Sequence, residues 1–143
     1  MANNQLRLVK DQAQQQQKQL SERLEKAVAF VNGERQQLLQ LQEYQQDYLD
    51  KITGQQQHWN AQHSARYRQF CHQLSLAIQG QQTKLQAAEE QLEGLRQSLY
   101  QQQQRIQVLD DMIDRQQQDL DQLQNLALQK ELDDHNTRRH FYQ

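Results

Sequence analysis

The sequence predicts an all-α protein in which two long helices form an antiparallel coiled-coil hairpin. Three observations support this prediction. The 143 residues include no proline and only 4 glycines, so few positions interrupt a helix. Apolar residues recur at alternating spacings of three and four in both halves of the chain, which is typical of a coiled-coil seam. Near the middle, Gly54 follows the first periodic stretch and indicates a turn.

The second half of the chain carries the more regular seam. Its positions are Tyr67, Cys71, Leu74, Ile78, Gln81, Leu85, Ala88, Leu92, Leu95, Leu99, Gln102, Ile106, Leu109, Ile113, Gln116, Leu120, Leu123 and Ala127. Nearly all are apolar, and the exceptions are mainly glutamines. A spacing that averages about 3.5 residues keeps one face of a helix against a partner in a left-handed supercoil.

The first half carries a looser version of this pattern. Its positions are Leu6, Val9, Ala13, Gln17, Leu20, Leu24, Ala27, Val31, Leu38, Leu41, Gln45, Tyr48 and Ile52. After Gly54, both Asn60 and Ser64 are possible N-caps of a second helix. We therefore predict one coiled-coil domain over residues 1–143, with helices over about 3–53 and 63–138 and a turn over about 54–62.

A single antiparallel register pairs the whole first helix with the second. It sets Leu6 against Leu109, Val9 against Ile106, Ala13 against Gln102, Leu20 against Leu95, Ala27 against Ala88, Leu41 against Leu74, and Tyr48 against Tyr67. The midpoint of this register falls inside the predicted turn, as a hairpin requires. The second helix is longer than the first, so the hairpin has a C-terminal overhang.

Beyond about Asp114 the second helix has no partner in the first, yet its seam continues. An apolar stripe of this length needs burial, because most helical stability comes from packing one face. A second copy of the chain or another protein would supply it. The alternative is a fraying, partly disordered tail.

The composition disfavours several classes of protein. With a net charge of −2 and no basic stripe, the chain lacks the attraction to phosphate on which nucleic-acid binding depends. Its longest apolar run is too short to cross a bilayer, and its N-terminus lacks a signal segment. Its single cysteine cannot form an internal disulfide. A mean hydropathy of −1.18 would also suit a disordered chain, but disorder would leave the apolar residues unpatterned. We expect a soluble, cytosolic protein.

No residues are spaced as a catalytic or metal site requires. His58 and His63 flank the turn without a cysteine or carboxylate at ligand spacing. Cys71 lies on the seam, where a cysteine usually acts as a small apolar filler. Acidic pairs such as Asp110 and Asp111 are adjacent, and adjacent helix positions diverge. We predict that the chain is not an enzyme and binds no cofactor or metal.

Aromatic residues concentrate where the predicted hairpin closes: Tyr44, Tyr48, Trp59, Tyr67 and Phe70. Tyr44 and Phe70 lie one step off the seam, and the register sets them side by side on one flank. Half-exposed aromatic side chains are preferred anchors for protein partners. The alternative is that they only thicken a thin two-helix core near its turn.

Three stretches resemble the FliJ family, the small coiled-coil component of the bacterial flagellar type III export apparatus. They are residues 37–48, residues 67–78 and the Gln-Lys-Glu-Leu-Asp-Asp-His run at 129–135. The resemblance implies contacts with the export ATPase FliI, its regulator FliH, the export-gate protein FlhA and export chaperones. It also implies a chain that is monomeric when free and peripheral at the cytoplasmic face of the inner membrane. The stalk protein of a virulence secretion system and a self-associating structural coiled coil remain alternatives.

The resemblance also implies two binding surfaces. The gate-binding surface would consist of Gln37, Leu41, Tyr44, Tyr48, Phe70, Leu74, Ala77 and Gln81. Those members that also lie on the seam are expected mostly in the core, which leaves Gln37, Tyr44, Phe70 and Ala77 exposed. By similarity to the central stalk of rotary ATPases, the unpaired stripe would enter the ATPase ring through Ile113, Gln116, Leu120, Leu123 and Ala127.

Overall fold

The chain folds into two α-helices packed against each other. The computed structural model describes residues 2–54 and 58–141, and the side chains of residues 4–54 and 58–139. Helix α1 spans Ala2–Thr53 and helix α2 spans Ala61–Phe141, with no strand among these described residues. The prediction of an all-α helical hairpin is confirmed.

The two helix ends at the turn are made differently. Helix α1 ends at Thr53, whose hydroxyl donates to the Leu49 carbonyl at 2.7 Å, and Gly54 does not adopt the left-handed conformation of a glycine cap. Helix α2 begins earlier than predicted, because Asn60 caps it: its Oδ1 accepts from the His63 backbone N–H at 2.9 Å. Ser64, the other possible cap, lies inside the first turn. Residues 55–57 of the predicted turn lie outside the described residues.

The predicted seam is the buried side of both helices. Every seam position from Leu6 to Gln116 is buried or half-buried, whereas Leu120, Leu123 and Ala127 are exposed. The residues with the lowest exposure are Ala13, Val31, Ile52, Leu74, Ile78, Gln81, Ala88, Leu92, Leu109 and Ile113. The alternation of three and four therefore identified the core correctly wherever α1 and α2 lie side by side.

The described residues divide into two compact units. The central unit is Leu20–Ser98, and the terminal unit combines Met1–Gln19 with Leu99–Gln143. In the central unit, Val31, Ala88 and Leu92 form the buried cluster, with Leu24, Ala27, Val28 and Leu85 packed against it. That the whole chain behaves as a single domain stays a prediction.

Hydrogen bonds and ring contacts confirm the antiparallel register inside each unit. In the central unit, the rings of Tyr48 and Tyr67 stack with centroids 5.7 Å apart. The Gln81 side-chain amide also donates to the Glu34 carbonyl at 3.1 Å and to the Glu34 carboxylate. In the terminal unit, Gln102 donates to the Ala13 carbonyl at 2.9 Å. Gln81 and Gln102 thus bind α1 directly, so these two seam glutamines hold the register as well as occupying the core.

Candidate protein-binding site

Five aromatic side chains of the central unit form one continuous cluster beside the turn. Tyr48 lies at its centre, with its ring centroid 4.4 Å from that of Phe70 and 6.5 Å from that of Tyr44. Tyr44 and Phe70 meet edge to face at 6.2 Å, which confirms that they lie side by side. Trp59 extends the cluster, with its ring 5.1 Å from Tyr67. The contacts of Phe70 with Tyr44 and Tyr48 join α2 to α1, and each stabilises that packing by about 0.5–1.5 kcal/mol beyond simple burial.

Tyr67 joins this cluster to the seam. A hydrogen bond between its hydroxyl and the Cys71 thiol, followed by desolvation, raises the pKa of Tyr67 above its ordinary value. Its hydroxyl is therefore neutral at physiological pH and serves as a packing and hydrogen-bonding group. Cys71 is half-buried, as expected of a filler.

The predicted gate-binding residues differ widely in exposure. Leu74 and Gln81 are both only 8% exposed, and Leu41 and Tyr48 are half-buried, so these four belong to the core. Gln37, Tyr44 and Ala77 are exposed, with Tyr44 at 52%. Phe70 was expected among the exposed members, but it is half-buried because it packs under Tyr44 and Tyr48. We call Gln37, Tyr44, Phe70 and Ala77 the aromatic flank.

The five residues predicted to contact the ATPase ring also divide into two groups. Ile113 is 9% exposed and Gln116 is half-buried, so the paired region extends slightly beyond Asp114, where it was expected to end. The physical reason is that α1 starts as early as Ala2, and Arg7 and Lys10 line the same groove of the terminal unit as Ile113. Leu120, Leu123 and Ala127 are exposed as expected.

The terminal unit exposes more apolar surface than the seam pattern indicated. Leu126 is 62% exposed, Leu128 57% and Leu132 54%. Seam reasoning missed them because it follows one face of the helix, whereas a helix without a covering partner exposes every face. These exposed leucines could have been found from the sequence, because they are apolar residues that lie off the seam and beyond the end of the shorter helix. We call Leu120, Leu123, Leu126 and Ala127 the C-terminal stripe.

Two features are absent from the described residues: a cluster of candidate metal ligands and a candidate membrane span. No group of three or more histidine, cysteine, aspartate or glutamate side chains among them could hold a metal ion. None of the described helical segments is long and apolar enough to cross a membrane. The surfaces that do stand out are apolar and aromatic patches on helices, and such patches bind other proteins.

The fold defines an all-α helical-hairpin protein with exposed apolar and aromatic surfaces. A family model described as "Flagellar FliJ protein" matches residues 1–143, the entire chain. The chain therefore belongs to the FliJ family, the coiled-coil stalk proteins of the flagellar protein export apparatus. No curated protein and no solved structure matches the chain.

Proposed function

We propose that this chain is a stalk-like connector that binds the export ATPase ring and the export-gate protein FlhA. The aromatic flank of the central unit binds the gate, and the C-terminal stripe of the terminal unit binds inside the ring. The ATPase FliI, its regulator FliH and export chaperones are the proposed partners, with a role in chaperone cycling. The chain works at the cytoplasmic face of the inner membrane, attached peripherally through the apparatus.

The observation that carries this proposal is the presence of two exposed apolar surfaces of different construction. The aromatic flank lies on paired helices, where Tyr48 and Phe70 support the exposed ring of Tyr44 from below. Such a supported aromatic loses little side-chain entropy when a partner covers it, so it suits a binding hot spot. The C-terminal stripe instead lies on a helix whose described side chains from Gln117 to Arg139 are all exposed. A helix exposed on every face suits a partner that surrounds it, as a ring does.

The gate contact is tested by pull-down of the purified cytoplasmic domain of FlhA with the full chain. We expect Tyr44→Ala/Phe70→Ala to weaken binding at least tenfold, because it removes an aromatic anchor and the ring beneath it. The control is Leu39→Ala/Leu76→Ala, at leucines that are 48% and 52% exposed and off the flank. Equal binding by both double variants would show that the aromatic flank is not the gate-binding surface.

The ATPase contact is tested by ending the chain after Gln116, where the described side chains become fully exposed. We expect this truncated chain to lose stimulation of ATP hydrolysis by purified FliI and to keep its binding to FlhA. The matched full-length variant is Leu120→Asp/Leu123→Asp, which should lose stimulation equally because it places charges on the stripe. Full stimulation by either variant would contradict the assignment of the C-terminal stripe to the ring.

A self-associating coiled coil is the second candidate, since the exposure of Leu123 at 64% and Leu126 at 62% would also suit pairing with a second copy. Sedimentation equilibrium separates the two functions. A monomer over the micromolar range is expected for the connector. A dimer that Leu120→Asp/Leu123→Asp dissociates would support the self-associating protein instead.

A further inference from the structure

Phe30 is a further exposed aromatic residue in the central unit, and the proposed gate-binding residues do not include it. Its side chain is 57% exposed. Phe30, Gln37 and Tyr44 recur at the seven-residue spacing of a heptad, so they form one row along the same side of α1. Four helical turns separate Phe30 from Tyr44, a distance of roughly 21 Å along the helix. The row therefore continues the aromatic flank in the direction away from the turn.

Helix α2 supplies the other half of this row. The register that brings Phe70 beside Tyr44 sets Ala77 across from Gln37 and Lys84 across from Phe30. Ala77 and Lys84 are both exposed. An exposed aromatic ring and an exposed ammonium group thus occupy facing positions at the far end of the flank.

The same side of the central unit carries an excess of positive charge. At the heptad positions on and next to the flank lie Arg23, Lys26, Lys51, Arg66 and Lys84, with Asp47 the one carboxylate among the described residues there. None of these cations forms an ion pair with a described residue. On the opposite side, Arg35 pairs with Glu89 at 3.1 Å and Arg96 pairs with Glu93 at 3.8 Å. Among the described residues, unpaired positive charge is therefore concentrated on the side of the flank, with five cations against one carboxylate, whereas the opposite side carries Arg35 and Arg96 in ion pairs and one unpaired cation, Arg68.

We propose that the aromatic flank extends to Phe30 and Lys84 and binds an amphipathic helix with an acidic polar face, presented by a partner protein. The apolar residues of that helix contact Phe30 and Tyr44, and its carboxylates contact the surrounding cations. Beside the row, Gly33 and Gly80 carry no side chain, and a Cβ added at either would meet nothing within 4 Å. A partner helix can therefore approach α1 and α2 closely. This inference rests on the proposed function, because it extends the surface assigned to the gate.

The test uses the full chain and two synthetic helical peptides in fluorescence anisotropy. Both peptides carry leucine at the a and d positions of four heptads, with glutamate elsewhere in one and lysine elsewhere in the other. We expect the glutamate peptide to bind at least tenfold more tightly than the lysine peptide. Phe30→Ala should weaken binding of the glutamate peptide about tenfold, which is typical of a buried aromatic anchor. Lys84→Glu should weaken it severalfold and reduce its dependence on salt concentration.

Matched controls lie on the other side of the unit. Leu39→Ala removes a side chain that is 48% exposed, and Arg68→Glu reverses an exposed charge without an ion pair among the described residues. Both should bind the glutamate peptide as the wild type does. Circular dichroism should show the same helicity for all four variants, since none of the substituted side chains is buried. Equal binding of the two peptides, or equal effects of Phe30→Ala and Leu39→Ala, would overturn the inference.

The cytoplasmic domain of FlhA is the second probe, and it separates this inference from the proposed function. If Phe30→Ala leaves gate binding intact while Tyr44→Ala/Phe70→Ala removes it, the proposed function stands and the extension to Phe30 is wrong. If the wild type does not bind FlhA, the proposed gate contact is wrong and the peptides alone decide the inference. The wild type could also form a dimer that the Phe30→Ala substitution dissociates. That result would show that the flank binds a second copy of the chain, and it would overturn the proposal of an acidic partner helix.

Discussion

In the central unit α1 and α2 share a core, whereas the terminal unit contains a stretch of α2 on which every described side chain is exposed. The central core buries Val31 to 1% and Ala88 to 4% exposure. From Gln117 to Arg139 a similar mixture of leucine, glutamine and charged residues buries nothing. The composition of the two regions therefore says little about their stability. A covering partner helix decides it, because helix formation in water depends mainly on packing one face.

Glutamines on the seam sharpen this contrast. In the central unit the amide of Gln81 donates to the Glu34 carbonyl at 3.1 Å, so its burial is compensated. In the terminal unit Gln116 lies where the paired region ends, and its Oε1 atom is buried without a hydrogen-bond partner among the described residues. The same residue type at the same seam position thus stabilises the register in one unit and costs stability in the other.

The largest effect is expected from one substitution made in both regions. Leu92→Ala should lower the free energy of unfolding by about 2–4 kcal/mol, because Leu92 is 6% exposed and its loss leaves a cavity beside Val31. Leu123→Ala, at a leucine 64% exposed, should change it by less than about 0.5 kcal/mol. Urea denaturation followed by circular dichroism measures both. Similar losses would mean that the C-terminal stripe is packed in solution, most simply against a second copy.

A smaller effect is expected at the seam glutamines. Gln116→Leu should raise the free energy of unfolding by about 1 kcal/mol, because it removes a buried polar atom that has no partner and adds apolar contact. Gln81→Leu should raise the free energy of unfolding by a smaller amount, because it also removes the hydrogen bonds to Glu34. The same denaturation curves, with Gln79→Leu as an exposed control, test the difference. An equal gain at both seam positions would show that the bonds to Glu34 contribute nothing.

The smallest effects are expected from the ion pairs that join α1 to α2 in the two units. A double-mutant cycle on Arg35 and Glu89, whose side chains are 58% and 43% exposed, should give a coupling of about 0.3–0.5 kcal/mol. The side chains of Lys10 and Asp110 are only 28% and 37% exposed, so solvent screens this ion pair less. Its coupling free energy should be somewhat larger. Both couplings should fall as salt is raised to about 1 M. The reverse order would show that side-chain exposure does not control these pairs.

The alternation of three and four was sufficient to predict the register, because a coiled-coil seam repeats the same local choice at every turn. Tyr44 and Phe70 were placed together from that register alone. Helix α2 begins at Ala61, earlier than the predicted start at about residue 63. The sequence offered both Asn60 and Ser64 as N-caps, and the two side chains have similar capping ability. Only the accepted hydrogen bond from His63 distinguishes them.

The sequence by itself determined the helical class, the turn and the seam, since each follows from local propensity and from a period that is visible in the chain. The tertiary structure alone decided the finer distribution of burial off the seam and at the end of the paired region. Gln116 is half-buried although it lies beyond the predicted end of the pairing, whereas Leu120 is exposed as the register predicted. Likewise Phe70 lies partly beneath its neighbours while Phe30 is open to solvent. The register gives the facing residues, but how far neighbouring side chains cover each position depends on their conformations, and a one-dimensional pattern does not contain that information.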